Sequence, residues 1–407
     1  MTIDATSPPW LSIIGLGEDG QGGLSNAALS LIQSAKLVIG GKRHLNLIGA
    51  LAQNTRVWPT PFDAAISDIL ALRGQPVVVL ASGDPFHYGA GATLARHLNA
   101  NEFVSLPQPS AFSLSANHLG WALQDTITLG LNSRPIETLL PHLHNGAHIL
   151  SLSRDRTTPA KVANLLCDKG FGSSSITILV AMGGENEEIS SCLAHAIGGQ
   201  TFPDLNTIAI EVKADAGACP LPLCSGLPDS WFESDGQLTK REIRAVTLSS
   251  LAPKPGEHLW DIGCGAGSVA IEWMLAHPTC RATGIERDAK RAQRASQNAI
   301  ALGVPGLKVT TGEARQQMSK LSPPDAVFFG GGAKDASLLD LAWTALPTGG
   351  RLVANAVTLE TEQVLQQQFG ARGGQLFRIG IERAEPIGRM TGWRPAMPVV
   401  QWIGRKP

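Results

Sequence analysis

The sequence lacks a surplus of charge of either sign. It carries 33 Lys and Arg against 34 Asp and Glu, a formal net charge of −1. The chain therefore has no overall excess of cations to neutralise phosphates, and nucleic acid is not an expected partner. Long apolar runs are missing too. No stretch of about twenty uninterrupted apolar residues occurs, so no membrane-spanning helix is expected. The opening MTIDATSPPWLSIIG has neither the basic start nor the extended apolar run of a secretory signal, and the expected compartment is the cytoplasm. Cysteine is sparse: Cys167, Cys192, Cys219, Cys224, Cys264 and Cys280. Cys219 and Cys224 stand close together, but no second pair at zinc-finger spacing accompanies them, so reduced thiols are expected. His142, His144 and His148 crowd together without an acidic partner at helical spacing, and no metal centre is expected.

What the chain does have is 43% apolar and only 16% charged residues, a balance suited to well-buried α/β domains. At 407 residues it exceeds what one core usually supports. The segment KADAGACPLPLCSGL, Lys213 to Leu227, is rich in Ala, Gly, Pro and Ser. Its Pro220 and Pro222 disfavour both helix and ladder. The expected organisation is a first domain over 1–212, a linker over 213–227 and a second domain over 228–407.

Both parts alternate short apolar runs with helical patterns, the pattern of sheets covered by helices. Expected strands in the first are Leu11–Gly17, Lys36–Gly41, Pro76–Gly83, Ala147–Leu152, Ser175–Met182 and Thr207–Val212. In the second they are His258–Gly263, Arg281–Glu286, Leu307–Gly312, Asp325–Gly331 and Gly349–Val357. Helical spacing covers Ser268–His277 and Ala289–Leu302.

The most specific local signal is LWDIGCGAGSVAIEW, Leu259–Trp273. An apolar strand runs into Gly263-Cys264-Gly265-Ala266-Gly267, and a helix follows at once. Glycines let the backbone turn tightly and approach a ligand, and the helix start offers free N–H groups. Glu286 closes the next strand, where a carboxylate can accept hydrogen bonds from ribose hydroxyls. A dinucleotide enzyme, or a tight turn with no ligand, shows similar glycines. Three details favour S-adenosylmethionine. Asp261 precedes the loop, where it can meet the methionine ammonium. Gly312-Glu313-Ala314 ends the third strand, where an adenine edge is held. No second nucleotide-binding half is present. After the fourth strand, Phe328–Gly332 reads FFGGG instead of the Asn/Asp-Pro-Pro-aromatic grip of many N-methyltransferases. The acceptor is expected to be carbon, or a group presented by the substrate itself.

With DGQLTKREIRAVTL (Asp235–Leu248), PDAVFFGGG, GGRLVANAVTLE (Gly349–Glu360) and WRPAMPVVQW (Trp393–Trp402), this loop resembles the decarboxylating precorrin methyltransferase domain. The other half begins IIGLGEDG (Ile13–Gly20). It continues with LASGDPFHYGAG (Leu80–Gly91), LPQPSAFSLSANHLGW (Leu106–Trp121), LNSRPIETL (Leu131–Leu139) and VAMGGENEEI (Val180–Ile189). In that order these segments resemble the tetrapyrrole methylase family. Leu131-Asn132 depart from the His-Gly more often found in its C5-methylating branch.

The resemblance implies an α/β chain: a two-lobed tetrapyrrole methylase fold, then a class I Rossmann-like S-adenosylmethionine-dependent methyltransferase domain. It implies corrin-ring biosynthesis, with methylation of C5 and C15 of a precorrin and decarboxylation of its C12 acetate. One S-adenosylmethionine per domain is expected, leaving as S-adenosylhomocysteine. The implied partners are the tetrapyrrole, further copies of the chain and neighbouring pathway enzymes. Carried over by motif, the cofactor meets Gly15, Gly17, Ser82, Gly83, Asp84, Ser110, Ala111 and Met182 in the first domain. In the second it meets Thr239, Asp261, Gly263, Gly265, Gly267, Glu286, Gly312, Glu313, Ala314 and Gly331.

The donor arrives activated, so the protein mainly aligns it with the acceptor. The acceptors, enamine-like meso carbons, need no protein nucleophile, and neither half shows a Ser-His-Asp or Cys-His arrangement in sequence. Lys240, Arg241, Arg244 and Arg394 are candidates to hold substrate carboxylates, the alternative being a solvated helix face. Asn355 and Glu360 fall around the fifth strand's end, where a substrate pocket is expected. Glu360 is a candidate to move a proton, the alternative being a structural ion pair.

Overall fold

The computed structural model describes residues 9–59 and 62–407. The first eight residues, read above for a leader, lie outside them. The chain divides into two compact units. One takes residues up to Ile136 and His142–Cys219; the other takes Pro220–Pro407 with Glu137–Pro141.

The first unit holds two sheets. One contains β1 (Leu11–Leu16), β2 (Leu37–Gly40), β3 (Thr55–Val57), β4 (Val77–Ser82) and β5 (Phe103–Leu106). They are all parallel, in the order β3-β2-β4-β1-β5. The central strands β1 and β4 are buried on both faces, which is why they read as near-continuous apolar runs. Alternate residues serve opposite faces. Ile14, Leu16, Val78 and Leu80 pack into one cluster, Leu11, Ile13, Val77 and Val79 into the other. The second sheet contains β6 (Thr126–Gly130), β7 (His148–Leu152), β8 (Ser175–Val180), β9 (Glu188–Leu193) and β10 (Asn206–Glu211), ordered β6-β7-β10-β8-β9. Its β6–β7 pair is parallel and the rest antiparallel.

The second unit is built on seven strands, ordered β13-β12-β11-β14-β15-β19-β16. They are β11 (His258–Ile262), β12 (Arg281–Glu286), β13 (Lys308–Thr311), β14 (Ala326–Phe329), β15 (Arg351–Ala356), β16 (Gln375–Ile379) and β19 (Val399–Arg405). A separate hairpin pairs β17 (Glu382–Ile387) with β18 (Met390–Pro395). The chain runs outward from β11 through β12 to β13, then returns to β14 on the other side. Strand order reverses there, and in open α/β sheets a ligand crevice opens at that point, beyond the strands' carboxyl ends. Leu259, Ala326, Phe328 and Val353 bury one face of the sheet; Trp260, Ile262, Val327 and Phe329 bury the other.

The segment expected as a linker is tied at both ends. Asp215 accepts the N–H groups of Gly172 (2.8 Å) and Ser173 (3.2 Å) in the first unit. Leu227 is buried in the second unit's core, and Glu272 accepts from Gly226 N (2.7 Å) and Leu227 N (2.9 Å). Strands β3, β5, β6, β9, β16, β17, β18 and β19 were not among the expected ones, although β19 is mostly buried. β3 is fully exposed and three residues long; β9 carries Ser190, Ser191 and Cys192 along a sheet edge. Such segments bury too little apolar surface to stand out in sequence.

Candidate active sites

In the first unit, Leu16, Gly17, Ala81, Ser82, Gly83, Ser110, Ala111, Phe112 and Met182 line one cavity of about 320 Å³. That volume is in the range of small-molecule pockets. Its floor depends on close backbone crossings. Gly83 N donates to Leu16 O (3.0 Å), and Gly83 O accepts from Gln108 N (3.1 Å). A Cβ on Gly15 would overlap the Gly83 carbonyl and sit 2.7 Å from Gln108 N. Gly83 itself has φ +50°, and a Cβ there would meet Pro109 O at 2.8 Å. Ser110 caps the helix Ala111–Leu119, its Oγ accepting from Ser113 N at 3.1 Å.

Two of the expected contacts lie off this lining. Gly15 is a packing position beneath the floor and does not line the cavity. Asp84 lies outside the lining, its carboxylate accepting from Phe86 N at 2.8 Å and closing the Asp84-Pro85-Phe86 turn. Strain collects at the same place: Tyr88 (φ +58°) and Ala181 (φ +44°), both on the cavity wall, hold left-handed backbone without being glycine. Such conformations cluster at ligand sites because the surroundings must impose them.

In the second unit, Gly263, Gly265 and Gly267 have φ of +70°, +55° and +77°, and side-chain-bearing residues rarely adopt these values. A Cβ on Gly263 would press on Gly331 O at 3.1 Å, and one on Gly267 on the Ala295 Cβ at 3.1 Å. Glu286 fixes the loop: its Oε2 accepts from Gly265 N (2.9 Å) and its Oε1 from Asp288 N (3.0 Å). Asp261 is 1% exposed. Its Oδ2 accepts from Ala270 N at 3.2 Å, and its Oδ1 has no partner among the described residues. Burial, reinforced by the charge of Glu286, pushes its carboxyl up to about 7 against the one backbone hydrogen bond. A buried carboxylate oxygen with nothing to accept from is costly unless a cation or donor arrives. The neighbouring Cys264 thiol is buried and pushed up in pKa, chiefly by desolvation, which makes it a poor nucleophile.

The rest of the expected set divides. Gly312, with φ +139°, and exposed Glu313 precede the helix Ala314–Met318 at the end of β13. Gly331 is exposed, and a Cβ there would meet nothing within 4 Å. Thr239 and exposed Lys240 precede the helix Arg241–Leu251, Lys240 as its N-cap.

Residues 11–197 match the family described as tetrapyrrole (corrin/porphyrin) methylases, and 230–406 the precorrin methyltransferase domain. The chain is 51% identical over 98% of its length to a Sinorhizobium precorrin-6Y C(5,15)-methyltransferase [decarboxylating], covering 97% of that protein. Identity to the Mycobacterium tuberculosis protein of the same name is 37%, over 96% of this chain and 98% of that one. The chain belongs to the decarboxylating precorrin-6Y C5,15-methyltransferase family. The crystal structure of the C-terminal domain of the Rhodobacter capsulatus precorrin-6Y C5,15-methyltransferase is 46% identical to it. The match covers 46% of this chain and 100% of that one, at a TM-score of 0.44.

For this family member, two expected catalytic residues need correction. Arg244 is 0% exposed. It donates to Glu272, Asp229 and the carbonyls of Thr239 and Leu227, with its guanidinium 4.7 Å from the Phe232 ring centroid. Its donors are spent internally, so it cannot also hold a substrate carboxylate. Asn355 does not face an opening. Its Nδ2 donates to Thr247 Oγ1 (3.0 Å), and its Oδ1 accepts from Gln401 Nε2 (2.7 Å), all buried. Glu360, by contrast, is exposed in the first turn of the helix Leu359–Arg372, just beyond β15.

On the first cavity, Ser82, expected as a cofactor contact, belongs to a polar cluster with Arg43, His44 and Glu18, which were not among the expected site residues. Ser82 Oγ lies 2.8 Å from Arg43 Nη2 and 2.9 Å from His44 Nε2, and Arg43 is ion-paired with Glu18. A Ser-His contact therefore exists after all. Thirty-eight residues separate its members, and only the parallel pairing of β2 with β4 brings them together.

Proposed function

We propose that the chain is a bifunctional S-adenosylmethionine-dependent C-methyltransferase of corrin-ring synthesis. It methylates C5 and C15 of precorrin-6Y/6B and removes the C12 acetate carboxyl as carbon dioxide, giving precorrin-8. The observation that carries this reading is the pairing of two dissimilar clefts in one chain of this family. One is a cavity between the two sheets of the first unit; the other is a glycine loop backed by Asp261 and Glu286.

Each cleft suits one methyl donor, whose sulfonium supplies an already activated methyl group. In the second unit, Asp261 Oδ1 is an acceptor placed for an ammonium, and Glu286, oriented by the loop, for two hydroxyls. Gly331 leaves room beside Gly263. In the first, Gly17, Gly83 and Ala111 leave space between the sheets, and Met182 gives an apolar wall. We assign the first unit the C5 methylation, and the second the C15 methylation and decarboxylation. Lys240 is the cation proposed for a substrate carboxylate, and Glu360 the group that handles the decarboxylation proton.

Mass spectrometry of product made by the intact chain tests the reading. Wild type should add two methyl groups and remove one carbon dioxide from precorrin-6B. Asp261→Ala should stop after one methyl with the acetate intact. Failure of wild type to add any methyl group excludes the proposed activity.

A further inference from the structure

Arginine only donates, so Ser82 Oγ accepts from Arg43 Nη2 at 2.8 Å. His44 Nε2 lies 2.9 Å from Ser82 Oγ and 3.2 Å from Arg43 Nη2, while its buried Nδ1 has no partner among the described residues. In the tautomer that carries the imidazole proton on Nδ1, His44 Nε2 is a lone-pair nitrogen to which Ser82, its oxygen engaged by Arg43, can direct its own proton. His44 is 7% exposed, with Trp58 edge-on at 5.9 Å. Burial, helped by Arg43, pulls it down to about 4, so the ring stays neutral.

Methylating a meso carbon demands a proton acceptor. The carbon's electron pair forms the new C–C bond as the C–S bond breaks, and the macrocycle becomes cationic. One proton must then leave, its C–H electron pair returning to the conjugated system. That C–H is strongly acidic, so a weak base suffices, provided it is unprotonated and at hand. The carboxylates on the cavity are committed, Glu18 to Arg43 and Asp204 to Arg156, whereas His87 makes ring contacts with Tyr88 and Phe112.

We propose that Ser82 and His44 form the proton-accepting pair of the first unit's methyl transfer. Ser82 Oγ takes the carbon-bound proton and passes its own to His44 Nε2. Arg43, held by Glu18, is the positioning residue that fixes the hydroxyl's direction and returns His44 to neutrality by repelling the imidazolium. This inference rests on the proposed function above.

Two measurements test it on the intact chain. Nitrogen NMR of His44 needs no substrate. It should show an unprotonated Nε2 whose shift moves in Ser82→Ala and returns in Ser82→Thr; an Nε2–H tautomer, or a shift indifferent to Ser82, overturns the pair. In single turnovers, His44→Gln should slow the first unit's methyl transfer about 100-fold. It should also raise the isotope effect from deuterium on the acceptor carbon, with S-adenosylhomocysteine affinity by calorimetry unchanged. Wild-type turnover matched by His44→Gln overturns the proton pair alone. A wild type that transfers no methyl, with the NMR result as expected, counts against the functional reading instead.

Discussion

Arg244 Nε donates to Glu272 Oε1 at 2.5 Å with both side chains buried. The pair ties three segments together: the helix Arg241–Leu251, the helix Ser268–Leu275 that follows the glycine loop, and the Gly226-Leu227 backbone. Removing one partner from such a pair leaves a buried charge unanswered, which costs about 3–5 kcal/mol. Arg244→Ala should therefore lower the denaturant midpoint of the second unit and leave the first unit's transition unmoved. An unchanged midpoint with a raised KM for the tetrapyrrole would mean that Arg244 serves the substrate after all.

Asp261 makes a pH prediction. Its folded-state carboxyl is raised above the usual 3.8 to about 7. Without ligand, the folded chain thus holds a proton that the unfolded chain has lost over that window. Stability should fall as pH rises from about 4 to 7, by up to about 1.4 kcal/mol per pH unit from this group. An ammonium on Oδ1 favours the carboxylate. S-adenosylhomocysteine should therefore bind the second unit more tightly as pH rises toward 7 and release a proton at about pH 6 but not at about pH 8. Calorimetry in buffers of different ionisation enthalpy reads that proton, and Asp261→Asn should abolish it.

Glycine positions separate packing from ligand access. Gly15→Ala would drive a methyl into the Gly83 carbonyl, where no flexible side chain can yield, so the first unit should lose its cooperative melt. Gly331→Ala meets nothing within 4 Å and should melt like wild type while weakening S-adenosylhomocysteine binding. If the two variants melt alike, the assignment of Gly15 to packing fails.

The fold was legible where burial on both faces leaves a continuous apolar run, as in β1, β4, β11 and β14. It was illegible at edges such as β3 and β9, whose exposed residues carry no periodic signal. The site followed the same division. Gly263–Gly267 and Glu286 lie on one strand–loop–helix and the next strand end, so local pattern displays their arrangement. Ser82 and His44 meet only through strand pairing, which a single sequence does not display. Arg244 and Asn355 misled because a polar residue near a strand or helix end looks the same in sequence whether it faces substrate or completes an internal network. Gln401, which completes the network around Asn355, lies 46 residues away.

Asn355 and Glu360 allow the sharpest separation of these roles. Asn355→Ala removes one hydrogen bond each from Gln401 and Thr247, which keep their mutual bond of 3.1 Å, and should cost about 1 kcal/mol of stability. Its effect on rate should follow the loss of folded protein. Glu360→Gln removes one exposed carboxylate from a helix's first turn, worth about 0.3–1 kcal/mol, and should scarcely move the melt. If Glu360 handles the proton of decarboxylation, that variant should lose at least about tenfold in carbon dioxide release. Methyl transfer by the first unit, measured in the same sample, should keep its wild-type rate and so report that the chain is intact. Equal rates of carbon dioxide release from wild type and Glu360→Gln would assign Glu360 to the helix terminus alone.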